Sequence, residues 1–166
     1  MKKELVIKKM LPQHWNEVSR ILKQGIDTGL ASLEIDVPSW EYWDNNHLKN
    51  SRFIAVLENE IVGWATLSPV SMRKAYAGVA EISIYVDNLH KGKNVGSILM
   101  KNLIKNSEKC NIWTLQAVVF PENIPSIKFH EKFEFRHVGH REKISNNRGK
   151  WQDTILLERR SKIIGV

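Results

Sequence analysis

Between residues 81 and 104 the hydrophobic pattern changes period within a few residues, and no other stretch constrains the fold as tightly. Residues 81–86 alternate as a β-strand, whereas Val95, Ile98, Leu99, Leu103 and Ile104 recur along one face of a helix whose other face carries Lys101, Asn102, Lys105 and Asn106. The connecting turn holds Gly92 and Gly96 and two cations, Lys91 and Lys93. A strand that runs through a glycine-bearing turn into a helix directs the unpaired first-turn amides, and the positive end of the helix dipole, at one point in space. That point suits phosphate oxygens. A tight strand-to-helix turn requires glycines for steric reasons as well, so the spacing alone leaves both uses open. The turn lacks the Gly-Lys-Ser/Thr register of a P-loop and the dinucleotide fingerprint.

Elements alternate around this unit. Residues 4–9 read as a short strand, and Pro12 opens a helix with Trp15, Val18, Ile21, Leu22 and Ile26 at helical spacing. Ser39 is placed to cap a second short helix carrying Trp40, Trp43 and His47 on one side. Residues 53–57 and 61–68 read as a hairpin, 112–120 as a strand and 125–133 as a short helix. Residues 135–144 and 151–158 close the pattern as a second hairpin turned at 146–149. The class expected is α+β or mixed α/β: a sheet with flanking helices. At 166 residues the chain fits one domain spanning residues 1–166.

Composition narrows the function. The formal charge is +7, but the cations are scattered, so a solvated basic surface is favoured over a nucleic-acid partner. The lone Cys110 can form no internal disulfide, no apolar run spans a bilayer, and residues 1–9 lack the apolar stretch of a signal peptide. A cytoplasmic protein without membrane insertion is expected.

The turn also resembles the Arg/Gln-x-x-Gly-x-Gly/Ala pyrophosphate loop of the GNAT superfamily of N-acetyltransferases. Lys91, Asn94 and Gly96 stand at its three defined positions, two of them departures from the usual residues. A wider resemblance, to the phosphinothricin acetyltransferase branch, runs nearly end to end. It is carried by Thr28-Gly29-Leu30-Ala31-Ser32-Leu33-Glu34, Pro38-Ser39-Trp40, Gly63-Trp64-Ala65, residues 73–76 and 81–86, Phe120-Pro121-Glu122-Asn123, and residues 126–132, 139–143 and 151–161.

The resemblance implies a mixed, mostly antiparallel sheet of about seven strands, splayed between its fourth and fifth, with about four helices. The cosubstrate implied is acetyl-CoA, with no metal, and the partners a small-molecule amine and a second copy in a homodimer. Glu81 becomes the base for the amine. The backbone of Ile84, Tyr85 and Val86 pairs with the pantetheine arm, and an amide near Val86 polarises the thioester carbonyl. Lys91, Gly92, Lys93, Asn94, Val95, Gly96 and Ser97 surround the pyrophosphate, with Asn123 and Ser126 also on the cofactor. Asn123 serves equally as a plain helix cap. His130 stands where the branch carries a His and many relatives a Tyr that protonates the thiolate, and is the second catalytic candidate. Leu33, Glu34, Arg73 and Tyr76 match acceptor positions. Many relatives carry an Arg directly after that tyrosine, whereas this chain has Ala77. Two other readings are open from the sequence: acetylation of a protein amine or an aminoacyl-tRNA, and a non-catalytic acyl-CoA-binding module.

Overall fold

The computed structural model describes residues 4–166. In chain order these form β1 (Leu5–Lys9), α1 (Trp15–Asp27), α2 (Trp40–Asn46), β2 (Arg52–Leu57), β3 (Glu60–Pro69), β4 (Val79–Val86), α3 (Val95–Lys109), β5 (Thr114–Val119), α4 (Ile124–Lys132), β6 (Arg136–Asn147) and β7 (Lys150–Arg160). Pro12, expected to open the first helix, instead begins a 3-10 turn, Pro12–His14, that leads into α1, and two further single 3-10 turns, Lys74–Tyr76 and Asn88–His90, are too short to show a period in the sequence. The seven strands make one sheet in the order β1-β2-β3-β4-β5-β7-β6, antiparallel except where β4 meets β5.

Local chemistry explains the boundaries. Ser39 Oγ accepts from the Tyr42 amide and so caps α2 as expected. The β2–β3 turn places Glu58 and Asn59 at φ 50° and 68°, and the β6–β7 turn places Arg148 and Gly149 at φ 52° and 84°. Two successive positive φ values match the twist of a tight hairpin, which lets β6 and β7 run past the limits expected from their apolar residues.

The sheet buries both faces through different helices. On one, Val95, Leu99 and Leu103 of α3 pack on Ala65, Ile82 and Leu115, with α4 alongside. On the other, Val18, Ile21 and Leu22 of α1 and Trp43 of α2 cover Ile54 and Trp64. Alternation along β4 therefore sends Ile82, Ile84 and Val86 to the α3 side and Glu81, Ser83 and Tyr85 to the α1/α2 side.

Candidate active site

Strands β4 and β5 are parallel and paired at only Val79–Thr114, Ala80–Leu115 and Glu81–Gln116. Beyond Glu81 they part, and a cleft of about 910 Å³ opens between them. The geometry gives its β4 wall free donors. Asp87 N–H donates to Val62 O on β3 at 2.9 Å. Because amides alternate sides along a strand, those of Ile84 and Val86 face the split, where β5 no longer pairs.

The far end of the cleft is the first turn of α3. Asn94, Val95, Gly96 and Ser97 line it together with Lys91 and Gly92, and no acidic residue occupies that turn. Asn94 adopts φ 66°, ψ 7°. This left-handed conformation is what a glycine would supply, and Asn is among the side chains that tolerate it best, so the sequence departure at Asn94 keeps the backbone path. Gly92 is also left-handed at φ 75°.

Asp87 fixes this loop. Its carboxylate accepts from Arg20 Nη1 at 2.6 Å, Gln24 Nε2 at 3.2 Å, the Leu89 amide at 2.9 Å and His90 Nδ1 at 3.3 Å. Gln24 Oε1 also accepts from the Asn88 amide at 2.9 Å. These donors outweigh the effect of burial and hold the Asp87 carboxyl far below the usual carboxylate range. The sequence reading missed Asp87 because two of its partners, Arg20 and Gln24, lie more than sixty residues away in α1.

Glu81 lies at the fork, opposite Ser68 on β3. Burial raises its pKa, and the positive charge of Arg141 offsets part of that rise. Across the cleft His130 is 8% exposed, and its Nδ1 lies 2.7 Å from Ser126 O. A carbonyl only accepts, so Nδ1 carries the proton and Nε2 of the neutral ring is a bare acceptor. Burial lowers the pKa of this imidazole.

The remaining expected residues divide. Ser126, Tyr85, Leu33 and Glu34 line the cleft. Asn123 lines a smaller adjoining cavity: its Oδ1 caps α4 by accepting from the Ser126 amide at 3.2 Å, and its Nδ2 donates to Leu30 O at 3.0 Å. Lys93 is exposed on the loop and outside the lining. Arg73 and Tyr76 stand apart from the cleft, exposed on the β3–β4 connection. The sequence reading did not select Tyr42, Asn46, His47 and Ser83, which do line it. The position of His47 beside Trp43 on one helix face was the available signal.

Residues 18–135 match the model of the Acetyltransferase (GNAT) family. The chain belongs to this family. As a GNAT protein it is an N-acetyltransferase with acetyl-CoA as donor. The chain is 34% identical over 120 residues to YwnH of Bacillus subtilis (strain 168), named as a candidate phosphinothricin acetyltransferase, covering 70% of this chain and 73% of YwnH. It is 26% identical over 163 residues to the L-amino acid N-acetyltransferase AaaT of Escherichia coli (strain K12), covering 94% of this chain and 98% of AaaT. Its fold superposes with TM-score 0.82 on the GNAT superfamily phosphinothricin acetyltransferase (Pat) of Sinorhizobium meliloti in complex with acetyl-CoA, at 22% identity over 94% of this chain and 88% of that one. Among the described residues no group of three His, Cys, Asp or Glu is placed to hold a metal, and no helix is long and apolar enough to cross a membrane.

Proposed function

We propose that this GNAT enzyme acetylates the amine of a small amino acid or amino-acid analogue by direct attack on the thioester of acetyl-CoA. The observation that carries the reading is the position of Glu81, at the fork of a cleft whose walls hold free strand amides and a helix N-terminus. The pyrophosphate would lie at Asn94 to Ser97 with Lys91 beside it, and the pantetheine arm along Ile84 to Val86.

In the chemical step the amine nitrogen attacks the thioester carbon, and negative charge gathers on the carbonyl oxygen. The Val86 amide would donate to that oxygen. Collapse breaks the C–S bond and releases coenzyme A as its thiolate. Glu81 takes the proton that the nitrogen loses, directly or through water. A carboxylate with a raised pKa is a stronger base than an exposed one, which suits this role. His130 must first take a proton at Nε2 before it can pass one to the sulfur. The acceptor class is supported by the small amino acids and analogues in the names of the relatives, and by a pocket open beside Glu81.

Coenzyme A release, read with a thiol reagent while acetyl-CoA is mixed with an amino-acid panel, tests the proposal. Turnover with at least one free amino acid is expected. Silence across the amino-acid panel with turnover on a protein or aminoacyl-tRNA would reassign the acceptor, and acetyl-CoA binding without turnover on any amine would remove the catalytic reading.

A further inference from the structure

The acceptor side of the cleft has a shape and charge pattern that Glu81 alone does not explain. The segment after α2 is laid along β3 beside the fork: Leu48 N–H donates to Leu67 O at 2.8 Å, and Leu67 N–H donates to Ser51 O at 3.2 Å. Ser68, the next residue, is paired with Glu81. His47 is therefore anchored next to the part of β3 that pairs with Glu81, and both residues line the same cleft.

His47 is fixed twice. Its ring stacks on Trp43 at 4.2 Å between centroids and 22° between planes, and its Nδ1 lies 2.7 Å from Trp43 O. The carbonyl accepts, so Nδ1 carries the proton and Nε2 is a free acceptor. Burial, opposed by the bond to the Trp43 carbonyl and helped by the Arg52 charge, lowers the pKa and favours the neutral ring. Behind it Trp43 is clamped between Trp64, at 5.8 Å, and the Arg52 guanidinium, at 5.1 Å. The Arg52 donors are committed to the Asp44 carboxylate and to the carbonyls of Asp44, His47 and Leu48. The result is a flat, uncharged wall of Trp43 and His47, and the exposed Tyr42 lines the same cleft.

The cleft that this wall lines also holds two carboxylates. Among the described lining residues, Glu34 and Glu81 are the carboxylates, and both raise the pKa of Tyr85 beyond the larger effect of burial. Lys91, the cation of the lining, belongs to the cofactor loop. Arg141 acts on Glu81 from β6, where its Nε donates to Thr154 Oγ1 at 3.1 Å, and Arg73 is exposed outside the cleft.

We infer that the acceptor is an amino acid with a planar or apolar, uncharged side chain that packs on His47 and Tyr42, and that Glu34 excludes acidic side chains. The inference rests on the amino-acid reading above and narrows it. Selectivity arises from repulsion as well as contact: an anionic side chain, such as the phosphinate of phosphinothricin, would lose hydration beside the Glu34 carboxylate, while Lys91 belongs to the cofactor loop and the Arg141 charge acts on Glu81.

The test is kcat/KM of the full chain with acetyl-CoA and L-phenylalanine, L-methionine, L-glutamate or phosphinothricin. Phenylalanine and methionine should exceed both acidic acceptors by about tenfold or more, a difference within the reach of a like-charge contact at a partly desolvated site. Glu34→Gln should shrink the phenylalanine-to-glutamate ratio by about threefold or more. Added salt should shrink that ratio in the parent enzyme and not in Glu34→Gln, because an exposed carboxylate is screened. His47→Ala should raise KM for phenylalanine by roughly tenfold, with His47→Phe, which keeps a flat ring, recovering most of it. Equal use of acidic and aromatic acceptors, or a ratio indifferent to Glu34→Gln, would overturn the inference and leave amino-acid acetylation standing. Silence toward every amino acid would overturn both.

Discussion

Glu81 and Gln116 form the last pair between β4 and β5, and the carboxylate consequently stands where the sheet begins to divide. One strand pairing thus sets both the opening for the thioester and the place of its proposed base. A shift in register by one residue would turn Glu81 to the α3 side, away from Ser68 and the acceptor wall.

Glu81→Gln is expected to lower kcat about a hundredfold or more, the usual scale for a general base, with acetyl-CoA affinity unchanged within about twofold. Isothermal titration and steady-state kinetics separate the two. Only the carboxylate form accepts a proton, so activity falls as pH falls through the Glu81 pKa. Burial raises that pKa, with the Arg141 charge offsetting part of the rise, which moves the acidic limb of kcat/KM above that of an exposed glutamate. The raised value has a sign for stability too: its contribution is complete below the unfolded-state pKa and is lost as pH rises through the folded one. Glu81→Gln should therefore raise the thermal midpoint at neutral pH, and a fully active variant would remove Glu81 from the mechanism.

Asp87 works in the opposite direction. Its pKa is depressed by Arg20, the Leu89 amide, His90 and Gln24 acting against burial, so its stabilisation is present above the unfolded-state pKa and fades as pH drops below it. Asp87→Asn should lower stability at neutral pH by about 1–3 kcal/mol, the lower part of the range being set by the half-exposed Arg20. It should also raise KM for acetyl-CoA, because the loop from Asn88 to His90 loses its anchor. The gap in thermal midpoint between parent and variant should narrow as pH is lowered.

The sheet, its flanking helices and the strand-turn-helix were legible because each carries a period. Val95, Leu99 and Leu103 mark one face of α3, and Ser39 marks the start of α2. The splay between β4 and β5 was reached only through resemblance, since residues 82–86 show the same alternation whether or not a neighbour pairs with them. Of the candidate site, the glycine-bearing turn around Lys91 to Ser97 was visible in the local sequence, whereas its assignment to a cofactor came only through resemblance. Asp87 and His47 were not visible there: the roles of both depend on contacts between distant segments, Asp87 with α1 and His47 through the loop that hydrogen-bonds to β3. Arg73 and Tyr76 were inferred by position in a family pattern, and in this chain their loop leaves them exposed outside the cleft.

His130 illustrates how geometry limits a role. A neutral ring with its Nδ1 proton on Ser126 O has none to give from Nε2, and burial disfavours adding one. His130→Asn is accordingly expected to lower kcat by less than about tenfold and to leave the basic side of the pH–rate profile in place. A hundredfold loss together with disappearance of a basic limb would make the imidazolium the obligatory acid for the thiolate. Rapid-mixing measurement of coenzyme A release over pH distinguishes the two results.

Gly25 of α1 faces the Tyr85 ring, which lines the cleft on the same side of β4 as the acceptor wall. A Cβ built there would lie 2.5 Å from Tyr85 Cε1 and 2.7 Å from Cδ1, inside contact distance. The ring has little room to yield, because it stacks on Trp64 at 4.9 Å and its hydroxyl donates to Ala31 O at 2.9 Å. Gly25→Ala in a helix would gain about 1 kcal/mol from propensity, whereas overpacking costs about 1–3 kcal/mol, so a net loss is expected. Displacing Tyr85 should raise KM for the acceptor more than KM for acetyl-CoA. Tyr85→Ala removes the obstructing ring. In a double-mutant cycle followed by chemical denaturation, Gly25→Ala should therefore be harmful in the parent and neutral or favourable beside Tyr85→Ala, a coupling of about 1 kcal/mol or more. Additive effects would mean that α1, rather than the Tyr85 ring, moves to make room.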